Sequence, residues 1–290
     1  MKKQDEIRIL KRYCPVCGGR NVEILYDQLF SGQFSHNIVC CKNCGFVFVN
    51  NIPDQKYYTR YYTDMSKYER ERDYALHRRS CKIIKKFCRK SADIIDIGCA
   101  MGHLLYLLKK DGYANLFGID PSPKCREIGR RKFGLIIKTA DIFSFRTAQK
   151  YDFIILCNVL EHLRDVGKSI NKITSLLRRG GYVFINVPDA ENFHKNFDEP
   201  FGEFSTEHIN FFSERYLRQL MQGYGCRYLE SDNSNIYSVW QKTDSLRNCV
   251  KQYIKISSLK FKKINNIIES LPVGGQMKSE THLNNFSLDF

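Results

Sequence analysis

The feature that most constrains the fold is an alternation of short apolar runs with amphipathic stretches between residues 92 and 241. Five apolar runs predict buried strands, at residues 93–97, 116–119, 135–137, 153–157 and 182–187. Amphipathic stretches at 102–110, 123–133 and 166–178 predict the helices between them. Because strands that alternate with helices form a parallel sheet covered on both faces, the pattern predicts an α/β, doubly wound fold.

The alternation breaks after residue 187. A loop is predicted for residues 189–212 and a helix for residues 213–222. Two strand-like pieces follow, at 227–231 and 237–241, close enough in sequence to pair as an antiparallel hairpin. The sequence therefore predicts a mostly parallel seven-stranded sheet with an antiparallel C-terminal hairpin.

Two Cys-x-x-Cys-Gly pairs precede this sheet: Cys14 with Cys17, and Cys41 with Cys44. Each pair brings two thiolates within reach of one tetrahedral ion, and the following glycine allows a tight turn that points backbone amides at sulfur. Zinc suits four thiolates, whereas a mononuclear iron site and four incidental buried thiols are the alternatives. Because four thiolates leave no open position for a substrate, the pattern predicts a zinc ribbon with a structural role.

The cysteine content also bears on location. The sequence contains twelve cysteines, and its charged residues 1–12 are not followed by the apolar stretch of a secretory signal. We therefore expect free or metal-bound thiols in a reducing, cytoplasmic compartment. No apolar run exceeds five residues, far short of the roughly 20 that cross a bilayer.

The positive charge is concentrated near the amino terminus. The sequence has a net charge of +15, and residues 1–95 hold 19 basic and 10 acidic side chains. If a polyanion binds, the front of the chain or its tail should therefore bind it. Against that interpretation, no basic run in this region exceeds two residues, and basic and acidic side chains interleave over residues 64–79, as on a solvated helix.

The first predicted strand of the alternating region leads into a glycine-containing loop. Asp96 lies in the strand, and Gly98, Cys99 and Gly102 follow it. Glycines at the carboxyl end of a first strand let the backbone approach a nucleoside at the topological switch point. The second strand ends at Asp120, whose carboxylate can accept both ribose hydroxyls. A dinucleotide site needs the spacing G-x-G-x-x-G, which this loop does not have.

These residues resemble the class I S-adenosylmethionine-dependent methyltransferases. The resemblance covers residues 92–241 and rests on Asp-Ile-Gly-Cys-Ala-Met-Gly, on the acids that follow strands two and three, and on Asp-Phe-Ile-Ile-Leu-Cys-Asn-Val-Leu-Glu-His-Leu. It implies that the glycine loop holds the methionine part of S-adenosylmethionine, that Asp96 reaches its amino group and that Asp120 holds the ribose. The cofactor-binding set that it implies is Asp96, Gly98, Cys99, Gly102, Asp120, Asp141, Ile142 and Asn158. Within that set, Asp141 and Ile142 would contact the adenine. Ala100 stands where the family usually has glycine.

The sequence contains two Glu-His pairs, and one of them lies in the predicted loop after strand five. We expect Glu207 and His208 to lie over the mouth of the cleft, where an imidazole has the pKa that suits proton removal near neutrality. The alternative is a hydrogen-bonding role that shapes the loop. His162, in the other Glu-His pair, is a weaker candidate, as are His103 and His194.

The front of the chain extends the resemblance over residues 13–241. The cysteine pairs, a tyrosine-rich connector and the Glu-His-Ile-Asn loop resemble zinc-ribbon methyltransferases, which include deoxysugar C-methyltransferases and relatives from surface-polysaccharide synthesis. This implies that Glu207 and His208 act as the base on a sugar nucleotide or glycan. O-methylation is equally open, because the large carboxy-terminal domain of the sugar C-methyltransferases has no counterpart in the sequence. The alternatives are an RNA methyltransferase and a non-catalytic S-adenosylmethionine-binding protein.

We expect four regions along the chain. They are a zinc-ribbon module (1–52), a helical connector (53–91), a methyltransferase domain (92–243) and a C-terminal helix with its tail (244–290). In the connector, Tyr57 with Tyr61 and Tyr58 with Tyr62 share helix faces. The apolar stripe of the last region predicts docking on its own domain or self-association, with an anionic membrane as the alternative.

Overall fold

A computed structural model describes residues 7–27, 29–30, 34–64, 75–195, 207–233 and 236–243. The predicted C-terminal helix of 244–290 lies outside the described residues, as does the side chain of His194. Among the helices of the described part, none is long and apolar enough to span a membrane.

The amino-terminal part consists of short strands: β1 Ile9–Lys11, β2 Val22–Tyr26, β3 Leu29–Phe30, β4 Phe34–Ser35, β5 Ile38–Cys41, β6 Val47–Val49 and β7 Asn51–Pro53. β5 pairs antiparallel with β2 on one side and with β6 on the other. β1 pairs antiparallel with β7. Every residue of β5 and β6 is buried, and Val39, Cys41 and Phe48 belong to the same apolar cluster as residues of the main sheet.

Two helices follow, α1 Gln55–Asp64 and α2 Ala75–Phe87. The tyrosine pairs of α1 stack at the predicted spacing, with ring centroids 6.1 Å apart for Tyr57 and Tyr61 and 6.3 Å for Tyr58 and Tyr62. The buried face of α2 carries Cys81, Ile83 and Ile84, which belong to the apolar cluster on one face of the main sheet.

The main sheet has seven strands in the order β10-β9-β8-β11-β12-β15-β14. Its strands are β8 Ile94–Ile97, β9 Leu116–Asp120, β10 Ile136–Thr139, β11 Tyr151–Cys157, β12 Leu177–Val187, β14 Cys226–Asn233 and β15 Ile236–Lys242. The helices between them are α3 His103–Lys110, α4 Pro123–Phe133, α5 Val166–Leu176 and α6 Glu214–Gly223. All strand pairs from β10 to β12 are parallel, whereas β15 runs antiparallel to both β12 and β14. The predicted mostly parallel sheet with its antiparallel hairpin is confirmed.

The strand order reverses at β8, which has β9 on one side and β11 on the other. In open α/β sheets a crevice forms where neighbouring connections leave in opposite directions, at the carboxyl ends of the strands. The glycine loop after β8 therefore opens into such a crevice.

The predicted loop over 189–212 is wrong in two places. A short 3₁₀ helix occupies Ala190–Lys195, and Asn210–Phe211 form a strand, β13, that pairs antiparallel with β6. A two-residue strand has no detectable period in sequence, because its formation depends on the free edge that β6 offers. As a result, the segment that follows Glu207 and His208 is joined to the cysteine-bearing sheet.

Candidate active site

The loop after β8 needs glycine at two positions. Gly98 has φ +75°, and a Cβ there would lie 2.6 Å from Val159 Cγ2. Gly102, directly before α3, has φ +85°, and a Cβ there would lie 2.5 Å from Leu135 Cδ1. Positive φ and close contact together exclude any side chain. Ala100 also has a positive φ, 46°, so the loop is a tight left-handed turn that exposes its backbone to the crevice.

Asp120 fastens this loop to the end of β9. Its Oδ2 accepts a hydrogen bond from the Ala100 amide at 2.9 Å, and its Oδ1 accepts one from the Ser122 amide at 2.9 Å. Burial raises the pKa of the Asp120 carboxyl, while these two amides act in the opposite direction. Because each carboxylate oxygen has a second acceptor site, Asp120 retains the capacity to bind hydroxyl groups of a ligand.

Asp96 is the most deeply buried acid of the crevice, with 3% of its surface exposed. Its Oδ1 has no hydrogen-bond partner among the described residues. Burial first, and then the charge of Asp120, raise the pKa of the Asp96 carboxyl to about 8. A buried carboxyl oxygen without a donor is costly, so a ligand that brings a cationic donor fits this position.

Asp141 has a local structural role as well as its predicted one. Its Oδ1 accepts hydrogen bonds from the amides of Phe143 at 2.6 Å and Ser144 at 2.8 Å, so it caps its own turn. The same turn carries Ile142, which is buried and faces the crevice.

One cavity of about 530 Å³ contains almost all of the predicted site. The predicted cofactor-binding residues that line it are Asp96, Gly98, Cys99, Asp120, Asp141, Ile142 and Asn158. Gly102 does not line it; its role is to allow the close contact with Leu135. Glu207 and His208 line the same cavity, so the two predicted halves of the site share one space.

The two Glu-His pairs meet in this cavity. The side-chain ligand atoms of Glu161, His162 and His208 lie within 4.8 Å of one another, close enough to bind a single cation. The His162 and His208 ring centroids are 4.8 Å apart. Glu161 is buried, with 2% of its surface exposed, whereas the two imidazoles are partly exposed.

Two hydrogen bonds fix the pairs relative to each other. His162 Nδ1 lies 2.9 Å from the Glu207 carbonyl oxygen, and because a carbonyl only accepts, Nδ1 carries a proton and donates this hydrogen bond. Tyr61 donates from its hydroxyl to Glu207 Oε1 at 2.7 Å. Glu207 is thus held by α1, whereas His208 extends into the cavity.

The sequence missed Arg164 as a residue of this cavity. Arg164 lines the cavity together with Tyr58 and Tyr62, and its guanidinium forms no hydrogen bond with any described residue. No sequence signal marks it, because it lies in an irregular segment between a 3₁₀ turn and α5.

The four predicted metal-binding cysteines form a second cluster. The Sγ atoms of Cys14, Cys17, Cys41 and Cys44 lie within 4.8 Å of one another. The Cys14–Cys44 and Cys17–Cys41 sulfur distances are both 3.5 Å, and the Gly19 amide donates to Cys17 Sγ at 3.3 Å. The neighbouring Cys40 points away and contacts the Cys41 carbonyl instead.

Comparisons with known proteins agree with this fold. The family described as "Methyltransferase domain" matches residues 68–231. The chain is 30% identical over 112 residues to ribosomal protein L11 methyltransferase of Thermosipho africanus, a match that covers 37% of this chain and 42% of that protein. It is 30% identical over 115 residues to ubiquinone biosynthesis O-methyltransferase of Pelagibacter ubique, covering 36% and 48%. The match thus spans less than half the length of these curated relatives.

A solved structure shows the same fold. Magnesium protoporphyrin IX methyltransferase from Synechocystis PCC 6803, with bound S-adenosylhomocysteine, superposes with a TM-score of 0.51 at 15% sequence identity. The superposition covers 65% of this chain and 98% of that one. Since the family model matches more than half of the residues and the fold agrees, the chain belongs to the family described as "Methyltransferase domain".

Proposed function

We propose that this protein transfers a methyl group from S-adenosylmethionine to a small-molecule acceptor, a sugar nucleotide or glycan, at oxygen or carbon. One observation carries the proposal: a single cavity joins the loop at Gly98 and Asp120 to the imidazole of His208. A methyl donor and the group that removes the acceptor proton would therefore meet without leaving the cavity, as an in-line displacement requires.

The residues of the crevice fit the cofactor. The unpartnered Oδ1 of Asp96 suits the methionine amino group, and the remaining acceptor sites of Asp120 suit the ribose hydroxyls. Gly98 admits the methionine part, Ile142 offers an apolar surface to the adenine, and Asp141 and Asn158 would complete the pocket. When bound, the cofactor supplies a methyl group on a positively charged sulfur.

His208 would act as the base. It takes the proton from the acceptor's hydroxyl or acidic C–H as the new bond to the methyl carbon forms and the sulfur–carbon bond breaks. The products are the methylated acceptor, S-adenosylhomocysteine and protonated His208. Glu207, held by Tyr61, orients the segment, and His162 is fixed beside His208 by its hydrogen bond to the Glu207 carbonyl oxygen.

Arg164 favours a sugar nucleotide as acceptor. A half-buried guanidinium that forms no hydrogen bond with a described residue can form two parallel hydrogen bonds with a phosphate. Tyr58 and Tyr62, which line the same region, offer aromatic faces to a sugar or base. The support is thus chemical complementarity together with the sequence resemblance to sugar methyltransferases.

RNA is the second candidate acceptor, and the excess of basic residues before residue 96 favours it. Part of that charge is already engaged: Lys42 pairs with Glu23, Lys85 with Asp111 and Lys86 with Glu230, and Arg12 is buried. The position of His208 in the cavity disfavours the third alternative, a non-catalytic binding protein.

The proposed function is tested by transfer of a labelled methyl group. We expect label to move from S-adenosylmethionine to one or more sugar nucleotides and not to bulk RNA. Arg164→Gln should raise the acceptor KM about 10-fold or more, because a charge-assisted hydrogen bond is lost, while the cofactor affinity is unchanged. The matched control is Lys168→Gln, an exposed cation nearby. Labelled RNA with no labelled sugar nucleotide would contradict the proposal.

We also propose that the four-cysteine cluster holds a structural zinc ion. The donor set and the amide that points at Cys17 sulfur are those of a zinc ribbon. We expect purified protein to contain about one zinc per chain. Cys44→Ser should lose most of the metal and lower the melting temperature, whereas Cys40→Ser, with an equally buried thiol outside the cluster, should retain it. Metal analysis by plasma emission gives the result, and equal metal loss in both variants would contradict the assignment.

A further inference from the structure

Arg12 is a charged residue buried inside the cysteine-bearing part of the protein, with 8% of its surface exposed. Its guanidinium donates to the carbonyl oxygens of Val49 and Ile209 at 3.1 Å each and of Arg164 at 2.9 Å, and to Asn210 Oδ1 at 2.7 Å. All four acceptors are carbonyl or amide oxygens. Burial lowers the pKa of Arg12 to about 10, so it stays charged near neutrality.

Asn210 continues this network. It is 1% exposed, and its Nδ2 donates to the carbonyl oxygens of Leu160 at 3.2 Å, Glu161 at 3.2 Å and Leu163 at 2.8 Å. Arg12 and Asn210 together, which we name the Arg12–Asn210 clamp, therefore connect three segments: β6, β13 and residues 160–164.

These segments carry the acceptor-side groups. Glu207 and His208 directly precede β13, and His162 lies within residues 160–164. The Ile209 amide also donates to the Glu161 carbonyl at 3.0 Å, and the Val49 amide donates to the Ile209 carbonyl at 3.0 Å. The separation of the two imidazoles is therefore set by the clamp and by the strand pairing beside it.

The cofactor end of the cavity is held by different bonds. Asp120 binds the Ala100 and Ser122 amides, and the Gly98 and Cys99 amides donate to the Ile119 carbonyl. No hydrogen bond of the clamp reaches these residues. A change in the clamp should thus alter the acceptor end and leave cofactor binding intact.

We propose that Arg12 and Asn210 are positioning residues for methyl transfer, through which the cysteine-bearing module sets the geometry of His162 and His208. The inference rests on the proposed function only in that these histidines act on the acceptor. The inference gives the amino-terminal module a role in turnover. The four cysteines of this module do not line the cavity, so they do not perform that role themselves.

The test compares Arg12→Lys, Asn210→Ser and the double variant with the wild type. Lysine retains the charge and has three donors without the planar fork, so it leaves part of the four-acceptor set unpaired. We expect amide hydrogen exchange at Ile209 to rise about 10-fold or more, the imidazole NMR signals of His162 and His208 to shift, and kcat to fall about 10-fold or more. The dissociation constant of S-adenosylhomocysteine should stay within about twofold. Arg20→Lys, an exposed arginine of the same module, should match the wild type in every measurement.

Coupling within the double variant checks the mechanism. Because both residues belong to one network, the effects of the two substitutions should be less than additive. Unchanged exchange at Ile209, equal losses in cofactor affinity and kcat, or strict additivity would each overturn the inference. Hydrogen exchange and NMR need no acceptor, so they test the clamp independently of methyl transfer. Either proposal can therefore be refuted while the other is supported.

Discussion

Replacement of His208 with alanine is expected to lower the rate of methyl transfer more than about 100-fold, because a positioned base contributes on that scale. The affinity for S-adenosylhomocysteine should stay within about twofold, since His208 is not among the residues proposed to bind the cofactor. In the wild type, kcat should rise with pH as the imidazole loses its proton. In the variant this rise should disappear. Steady-state assays across pH, paired with calorimetry, give both results.

A graded comparison separates chemistry from loop structure. Glu207→Gln preserves the size of the side chain and leaves an oxygen that accepts from Tyr61, so it should reduce kcat less than His208→Ala does. If Glu207 only orients the segment, the pH dependence of this variant should follow the wild type. Normal turnover in His208→Ala would exclude His208 as the base.

The second large effect is expected at Asp120. Asp120→Asn preserves the shape of the side chain and removes its charge. The asparagine NH₂ group then replaces one of the two carboxylate oxygens and faces a backbone amide, which is also a donor. We expect the dissociation constant of S-adenosylhomocysteine to rise about 100-fold, because hydrogen bonds to a charged acceptor contribute about 1.5–3 kcal/mol each. Calorimetry or equilibrium dialysis measures the change.

Asp141→Asn is the matched comparison for that substitution. The capping bonds of Asp141 involve Oδ1 alone, and an asparagine oxygen can accept them, so the loss of cofactor affinity should be smaller than for Asp120→Asn. Melting temperatures distinguish weak binding from partial unfolding. Equal or greater loss in Asp141→Asn would show that Asp120 is not the principal contact.

The parts of the fold that leave a local pattern of apolar residues could be predicted from the sequence. The runs that became β8, β9, β11 and β12 are apolar because both faces of a central strand are covered, and that property is visible residue by residue. β13 could not be predicted, because its two residues become a strand only when β6 lies alongside.

The site was predictable to the extent that its residues lie at strand ends. Asp96 and Asp120 follow from the position of the glycine loop, and the structure brings them into one cavity. Arg12 and Arg164 were missed. The acceptors of Arg12 are three backbone oxygens and one side-chain oxygen, 37 to 198 residues away, and no local pattern encodes contacts of that range.

Other expectations from the sequence stay predictions. These are the division into four regions, the cytoplasmic location and the self-association through residues 244–290. The packing of α2 on the main sheet shows that part of the predicted connector contributes to the core of the methyltransferase fold.

The most direct test of the central claim is a crystal structure of this protein with S-adenosylhomocysteine. The account predicts that the ribose hydroxyls lie within hydrogen-bond distance of the Asp120 carboxylate and that the sulfur faces the end of the cavity where His208 lies. A ligand bound elsewhere, or an Asp120 side chain without contact to the ribose, would contradict it.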